Sequence, residues 1–496
     1  MSPPSLPVEI TDFIVDILVE DPFPEWYAHA LDVANLAHVS HIFRNRINHH
    51  RFAKIAIHHA HRISDTYELL ENDDVWGNDA DRIHAHTKIF EVILIEPERT
   101  LDLAFTRHSF EMEFLLNNVL KKYPAGKAPD IAPSFIWDVK VETSWCNKHF
   151  FDWTSMSHGM QSAFRNMLQE SRLGKLCIAS LQNIPQDLIH ACPIPELHFT
   201  DVSFTDPPLP PKLGHHTDKD VVQHVRGILS PWHLQHATSF ATDHSTSVSD
   251  FFGAGFYNTG RQLTPIFPNV DTLVCCICNE DEFGMTTTLM RHAKNAKFVS
   301  IGIYEPMKLP RSIAFNTFTN LETLHLTYYG ALRPLAPDYP EYVRNVINPL
   351  LPSIPSVQRL GISLIIFSTN DYTVDLDRIF EGHDFTPIDE FLSDRPPASL
   401  KAVEIFLEVV LTTTSAFHAQ SFYAERFNEE GGRYAQDALF PQLAGLGRPE
   451  LKITLVPMLH GSIDVEHYSS SPHYRWSYAD GGIVPPESSE ADSDSD

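Results

Sequence analysis

The chain has 496 residues, 43% of them hydrophobic, enough to bury a large core divided among several domains. Its 64 acidic against 37 basic residues leave a net charge of −27, which argues against nucleic acid as a main partner, because phosphate binding needs a cationic surface. Six cysteines are too few for a disulfide framework in so long a chain and point to a reducing compartment.

The opening MSPPSLPVEITDF turns acidic before any apolar segment develops, so it does not read as a secretory leader. The longest apolar run, around Leu360–Phe367, falls far short of the roughly 18 residues that cross a bilayer. The chain also has no Asn-x-Ser/Thr glycosylation acceptor. These features predict a soluble protein of the cytoplasm or nucleus, with neither membrane nor nucleic acid among its partners.

Residues 1–60 are dense in helix-period apolar positions. Ser5, Pro7 and Glu9 read as a helix start, with proline in the first turn and an acid near the positive end of the dipole. Ile10, Phe13, Ile14, Ile17 and Leu18 then recur at three- and four-residue spacing, one apolar stripe. Asp21-Pro22-Phe23-Pro24 stops that helix, since proline removes a donor and clashes with the preceding turn. A second helical pattern runs through Leu31, Ala34, Leu36, Val39, Phe43 and Ile47, where the basic residues Arg44, Arg46 and Arg51 read as a solvated face.

Residues 61–170 mix acidic helical segments with Trp76, Trp137, Trp145 and Trp153, and read as a helical and mixed connector. From 171 to 460, short strand-like runs alternate with helical runs and proline-containing loops. Residues 461–496 form a tail ending in ESSEADSDSD, whose composition predicts disorder. Ser488, Ser489, Ser493 and Ser495 stand there among acids, as acceptors for an acid-directed kinase would.

The region from 171 onward repeats one pattern, apolar-x-x-apolar-x-apolar, seven times. The units are Leu173-Leu176-Ile178, Ile194-Leu197-Phe199, Val270-Leu273-Cys275, Ala296-Val299-Ile301, Leu321-Leu324-Leu326, Val357-Leu360-Ile362 and Leu400-Val403-Ile405. Alternate strand residues point to one side, so each unit buries its apolar face against its neighbours. The shorter intervals suit one strand plus one helix, and helical pieces such as residues 185–192 follow several triplets. The expected fold class is α/β; a generic α/β domain with a parallel sheet is the alternative to a repeat array.

Enzymatic motifs are missing from the sequence: it has no G-x-S-x-G, no phosphate-binding G-x-x-x-x-G-K-[ST] and no H-E-x-x-H. Gly253-Ala254-Gly255 followed by Gly260 lacks the dinucleotide spacing and reads as a loop. His58-His59-x-His61 and His215-His216 are not brought together on one ion by their spacing alone, because adjacent helical residues point about 100° apart, and they read as exposed helix or loop histidines. Cys275-Cys276-x-Cys278 splits across two faces of a strand and reads as buried cysteine rather than a zinc knuckle. No catalytic, cofactor or metal residue is expected, and the chain is predicted to be non-enzymatic.

Leu6-Pro7-x-Glu9-Ile10, the helix ending Ile17-Leu18, and Leu36-Ala37-x-Val39-Ser40-x-x-Phe43-Arg44 together resemble the F-box. The opening is similar to the form common in basidiomycete fungi, and His50-Arg51-Phe52-Ala53-Lys54-Ile55-Ala56-Ile57 resembles the strand-like segment that follows it there. Phe43 stands where that pattern usually has Trp. The resemblance implies a surface for the Skp adaptor of an SCF-type cullin ubiquitin ligase, with Leu6, Pro7, Ile10, Ile14, Leu18, Val39 and Phe43 as docking residues. The triplet region resembles the degenerate leucine-rich-repeat domains of fungal F-box proteins. The asparagine that usually ends such a motif is replaced, with Val202, Glu280, Glu305, Tyr329 and Phe367 near its place. The resemblance implies a short helical F-box (1–60) followed by the connector and a curved α/β leucine-rich-repeat-like solenoid (171–460) that holds a target protein. The alternative function is a repeat-based interaction scaffold without ligase coupling.

Overall fold

The structure, a computed structural model, describes residues 43, 46–48, 50, 52–71, 86–120, 132–142, 149–185, 188–189, 193–205, 236–243, 267–277, 280–303, 318–332, 356–367, 380, 384–394, 396, 398–412 and 432–460. It is an α/β protein whose strands pair mostly in parallel. The chain forms two compact units, Met1–Ile228 and Leu229–Asp496. Among the described residues, no helix is long and apolar enough to cross a membrane.

The first unit contains β1 (Lys54–Ile57), α1 (Arg62–Glu71), β2 (Ile89–Pro97), α2 (Glu98–Arg107), α3 (Ser109–Asn118), β3 (Ser134–Glu142) and β4 (His149–Asp152). After a single 3-10 turn at Trp153–Ser155 come α4 (His158–Glu170), β5 (Lys175–Ala179), β6 (Leu181–Gln182), β7 (Ile184–Pro185), β8 (Glu196–Thr200) and β9 (Phe204–Thr205). Strands β1, β2, β3, β5 and β8 are parallel neighbours in that order. The stretch 61–170, expected as a connector, thus contributes two long sheet strands, β2 and β3.

Helix α4 forms where the sequence supplies a cap and a stripe. The Ser157 hydroxyl accepts the Met160 N–H at 3.1 Å, and Met160, Ala163, Phe164, Met167 and Leu168 bury one face. Phe164 meets Phe135 and Trp137 edge-on, each with ring centroids 5.4 Å apart. This aromatic cluster anchors the helix on the sheet.

The exits of successive strands share a corner. Ala179 and Thr200 are register partners, and the next residues, Ser180 (φ 56°) and Asp201 (φ 50°), both adopt the left-handed conformation. Ser180 donates its N–H to Thr200 O at 2.9 Å, carrying the stack round the turn. Asp152 holds the same layer: its carboxylate accepts from Thr154 N, Thr154 Oγ1 and Asn183 Nδ2, all at 2.7 Å. Burial works to raise the Asp152 pKa, but the hydrogen bonds from Thr154 and Asn183 outweigh it and hold the carboxyl below its usual range.

The second unit contains β10 (Ser239–Asp243), β11 (Thr272–Ile277), α5 (Glu280–His292), β12 (Phe298–Ile303), β13 (Thr323–Leu332), β14 (Arg359–Phe367) and α6 (Thr386–Asp394). It continues with β15 (Ala402–Thr412), α7 (Gly432–Leu439), α8 (Pro441–Gly445) and β16 (Glu450–His460). Strands β10 to β16 pair in chain order, every pair parallel.

The seven triplets explain this arrangement. In each, the first apolar residue lies two positions before a strand and the other two lie within it, and all of them are buried. Leu273, Val299, Leu324, Leu360 and Val403 are successive register partners, as are Cys275, Ile301, Leu326, Ile362 and Ile405. Each row is therefore one continuous apolar ridge on a single face. The strand starts repeat as well: Asp271 O accepts from Lys297 N and Phe298 N, Lys297 O from Glu322 N and Thr323 N, and Glu322 O from Gln358 N and Arg359 N. Gln358 O accepts from Lys401 N and Ala402 N in the same way. A recurring spacing of three apolar residues has become a recurring three-dimensional unit.

Candidate functional site

Alternation along a strand leaves one face for the apolar rows and the other for the intervening residues. In the second unit these form the rows Ser300–His325–Gly361–Glu404–Lys452 and Gly302–Thr327–Ser363–Phe406–Thr454. Small and polar side chains fill the middle of this face, and chargeable ones lie toward β15 and β16, where Glu404 is half-buried and Lys452 exposed.

His325 occupies the centre. Its ring lies across the neighbouring strand above Gly361, where a Cβ would stand 2.9 Å from His325 Cδ2. Its Nε2 is 2.8 Å from Ser363 Oγ, and its centroid is 5.6 Å from that of Phe406. Glycine at 361 is what lets the imidazole lie flat on the sheet. Burial pulls the His325 pKa down to about 4, so the ring is neutral at pH 7. His325 and Ser363 are both nearly fully buried, which makes the pair a cross-strand brace rather than an accessible base and nucleophile.

In the first unit the corresponding face carries Lys54, Glu91, Asp138, Lys140, Lys175, Cys177, Glu196 and His198. Lys54 Nζ donates to Glu91 Oε1 at 2.9 Å, His58 Nε2 lies 3.7 Å from Glu91 Oε2, and Lys140 Nζ donates to Asp138 Oδ2 at 3.0 Å. Cys177 and His198 are register partners, a juxtaposition that invites a nucleophile–base reading. Burial pushes the Cys177 thiol up to about 12 despite the pull of Lys175, so it holds its proton and is no nucleophile. A further Ser–His–Glu constellation joins α1 to α3. Ser64 Oγ lies 3.0 Å and Glu111 Oε1 3.3 Å from His108, but both contact the same nitrogen, Nδ1. A proton relay needs the two ring nitrogens on opposite partners, so this cluster ties helices together.

Of the expected docking residues, Leu6, Pro7, Ile10, Ile14, Leu18 and Val39 lie outside the described residues. Phe43 is helical and half-buried. Cys275 and Cys276 are buried thiols, and burial raises Cys275 to about 12 against a hydrogen bond with Thr286; Cys278 lies outside the described residues. His58, His59 and His61 are exposed, with His59 and His61 stacked at a centroid distance of 5.4 Å. His215, His216 and the serine-acid tail lie outside the described residues. Among the described residues, no group of three or more His, Cys, Asp or Glu side chains is placed to hold a metal ion. The His325–Ser363 brace could not be read from the sequence, since no local signal links positions 38 apart. No known family model and no curated relative matches the chain.

Proposed function

We propose that this chain is the substrate-recognition adaptor of an SCF-type cullin ubiquitin ligase. On this reading an F-box at residues 1–60 holds the Skp adaptor through Leu6, Pro7, Ile10, Ile14, Leu18, Val39 and Phe43. The repeats form a degenerate leucine-rich-repeat-like solenoid that holds a target protein through exposed loops and the margin of the sheet's polar face near Glu404 and Lys452. Ubiquitin transfer is carried out by other subunits; this chain contributes proximity and orientation.

The supporting observation is the pair of apolar rows that runs in register from β11 through β15, buried on one face, with Glu404 and Phe406 half-buried and Lys452 exposed on the other. A parallel array of that kind separates stability from recognition, since outer-face side chains can change without disturbing the apolar ridges. The Cys177 and His325 neighbourhoods support recognition over catalysis, because one thiol is locked in its protonated form and one histidine is sealed.

The reading is tested by affinity purification of the full chain, comparing wild type with Glu404→Lys/Lys452→Glu. The expected result is Skp and cullin peptides from both, with a discrete set of other proteins lost from the variant alone. Neither Skp nor cullin in either sample would refute ligase coupling, and identical sets from both would refute recognition by this face.

A further inference from the structure

β16 is 11 residues long and, among the described residues, pairs only with β15. An unpaired parallel edge of that length is a template for a strand from another chain. Which backbone groups face outward follows from the pairing. In a parallel ladder each residue turns both its N–H and its C=O toward the same neighbour, and successive residues alternate. Glu450 donates its N–H to Lys401 O at 2.8 Å, and the register runs without a shift from Ala402↔Glu450 to Thr412↔His460. The even-numbered residues therefore bond to β15, and Leu451, Ile453, Leu455, Pro457 and Leu459 face away.

Proline has no N–H to give. Pro457 stands at the parity where this costs the β15–β16 ladder nothing, yet it removes a donor from any strand arriving on the outside. One position either way, at Val456 or Met458, proline would have broken a rung inside the sheet. A second obstruction lies two outward positions before Pro457, at Ile453. Gly432, at the start of α7, approaches the outward carbonyl of Ile453 so closely that a Cβ there would stand 3.0 Å from its oxygen.

We infer that the outer edge of β16 is closed to strand addition by a second copy of this chain, which presents the same 11-residue edge. Pro457 is the principal block, with the start of α7 beside Ile453 as the lesser one. The inference stands apart from the ligase reading and holds for any recognition role of the sheet.

Sedimentation velocity over a concentration series tests it with three full-length variants: Pro457→Val, Pro457→Ala and Pro457→Val/Leu459→Pro. The expected result is a monomeric wild type and concentration-dependent association in both single variants. The double variant is expected to return to monomer, because residue 459 shares the outward parity. The alanine variant keeps the comparison readable if valine at 457 perturbs folding. Single variants that stay monomeric with wild-type circular dichroism would overturn the inference, as would a wild-type dimer unchanged by them.

Discussion

His325 Nε2 lies 2.8 Å from Ser363 Oγ, across two adjacent parallel strands and above the bare Cα of Gly361. The contact joins positions 38 apart and makes the polar face of the second unit a braced surface. Replacing Ser363 by Ala should cost about 1–3 kcal/mol, the penalty for removing a partner from a buried polar group. Gly361→Ala should also destabilise, because the added methyl meets the ring. In His325→Ala that clash is absent, so Gly361→Ala should cost measurably less there. Urea unfolding of the four-member cycle checks this, and strict additivity would contradict the packing described.

Burial depresses two histidines, His325 and His292, to about 4 from an ordinary value of 6.5, with Arg291 adding to the effect at His292. Between those limits the unfolded chain binds protons that the folded chain refuses, so stability is full above pH 6.5 and falls as the pH drops toward 4. The full shift corresponds to roughly 3 kcal/mol per histidine. Denaturant titrations at pH 7 and pH 5 should show a smaller loss for His325→Gln than for wild type. An equal loss in both would mean the ring already titrates in the folded state.

Asp389 on α6 caps a different helix. Its carboxylate accepts the N–H groups of Gln442 at 2.9 Å and Leu443 at 2.8 Å, at the start of α8, where Phe440 offers no capping side chain. A buried carboxylate is tolerated there because two backbone donors replace its water shell. Asp389→Ala should cost about 2–4 kcal/mol, the upper range for losing hydrogen bonds to a charged group. Asp389→Asn, which keeps one carbonyl acceptor, should cost less. Thermal melts of both variants check the order.

The buried thiols Cys177 and Cys275, both pushed up to about 12, should resist alkylation in the native protein at pH 8. Peptide mass mapping after iodoacetamide treatment should find them modified only when denaturant is present. Native labelling at either would mean that the sheet opens locally.

The strands that were legible in the sequence are those whose three inward positions are all apolar. Leu321-Leu324-Leu326 needed no further context, because all three are buried, Leu321 two positions before β13 and the others within it. The same spacing stands at β1 in Phe52, Ile55 and Ile57 and at β3 in Ala132, Phe135 and Trp137, outside the region from 171 onward where the sequence reads as a repeat. At β2, β10 and β16 a polar residue takes one of the three places, namely Thr87, Thr242 and Arg448, and hides the unit. The polar face was not legible at all. Whether His325 meets Ser363 depends on how many residues the chain spends between two strands, and that length carries no local pattern. The capping of α8 by Asp389 depends on tertiary placement in the same way.

Capture of the purified full chain by the purified Skp adaptor tests the ligase reading most directly, with Leu6→Ala/Ile10→Asp as the paired variant. Stoichiometric binding by wild type, lost in a variant that keeps the wild-type melting transition, is the expected result. A well-folded wild type that leaves the adaptor unbound would contradict the F-box reading and leave a repeat scaffold without ligase coupling.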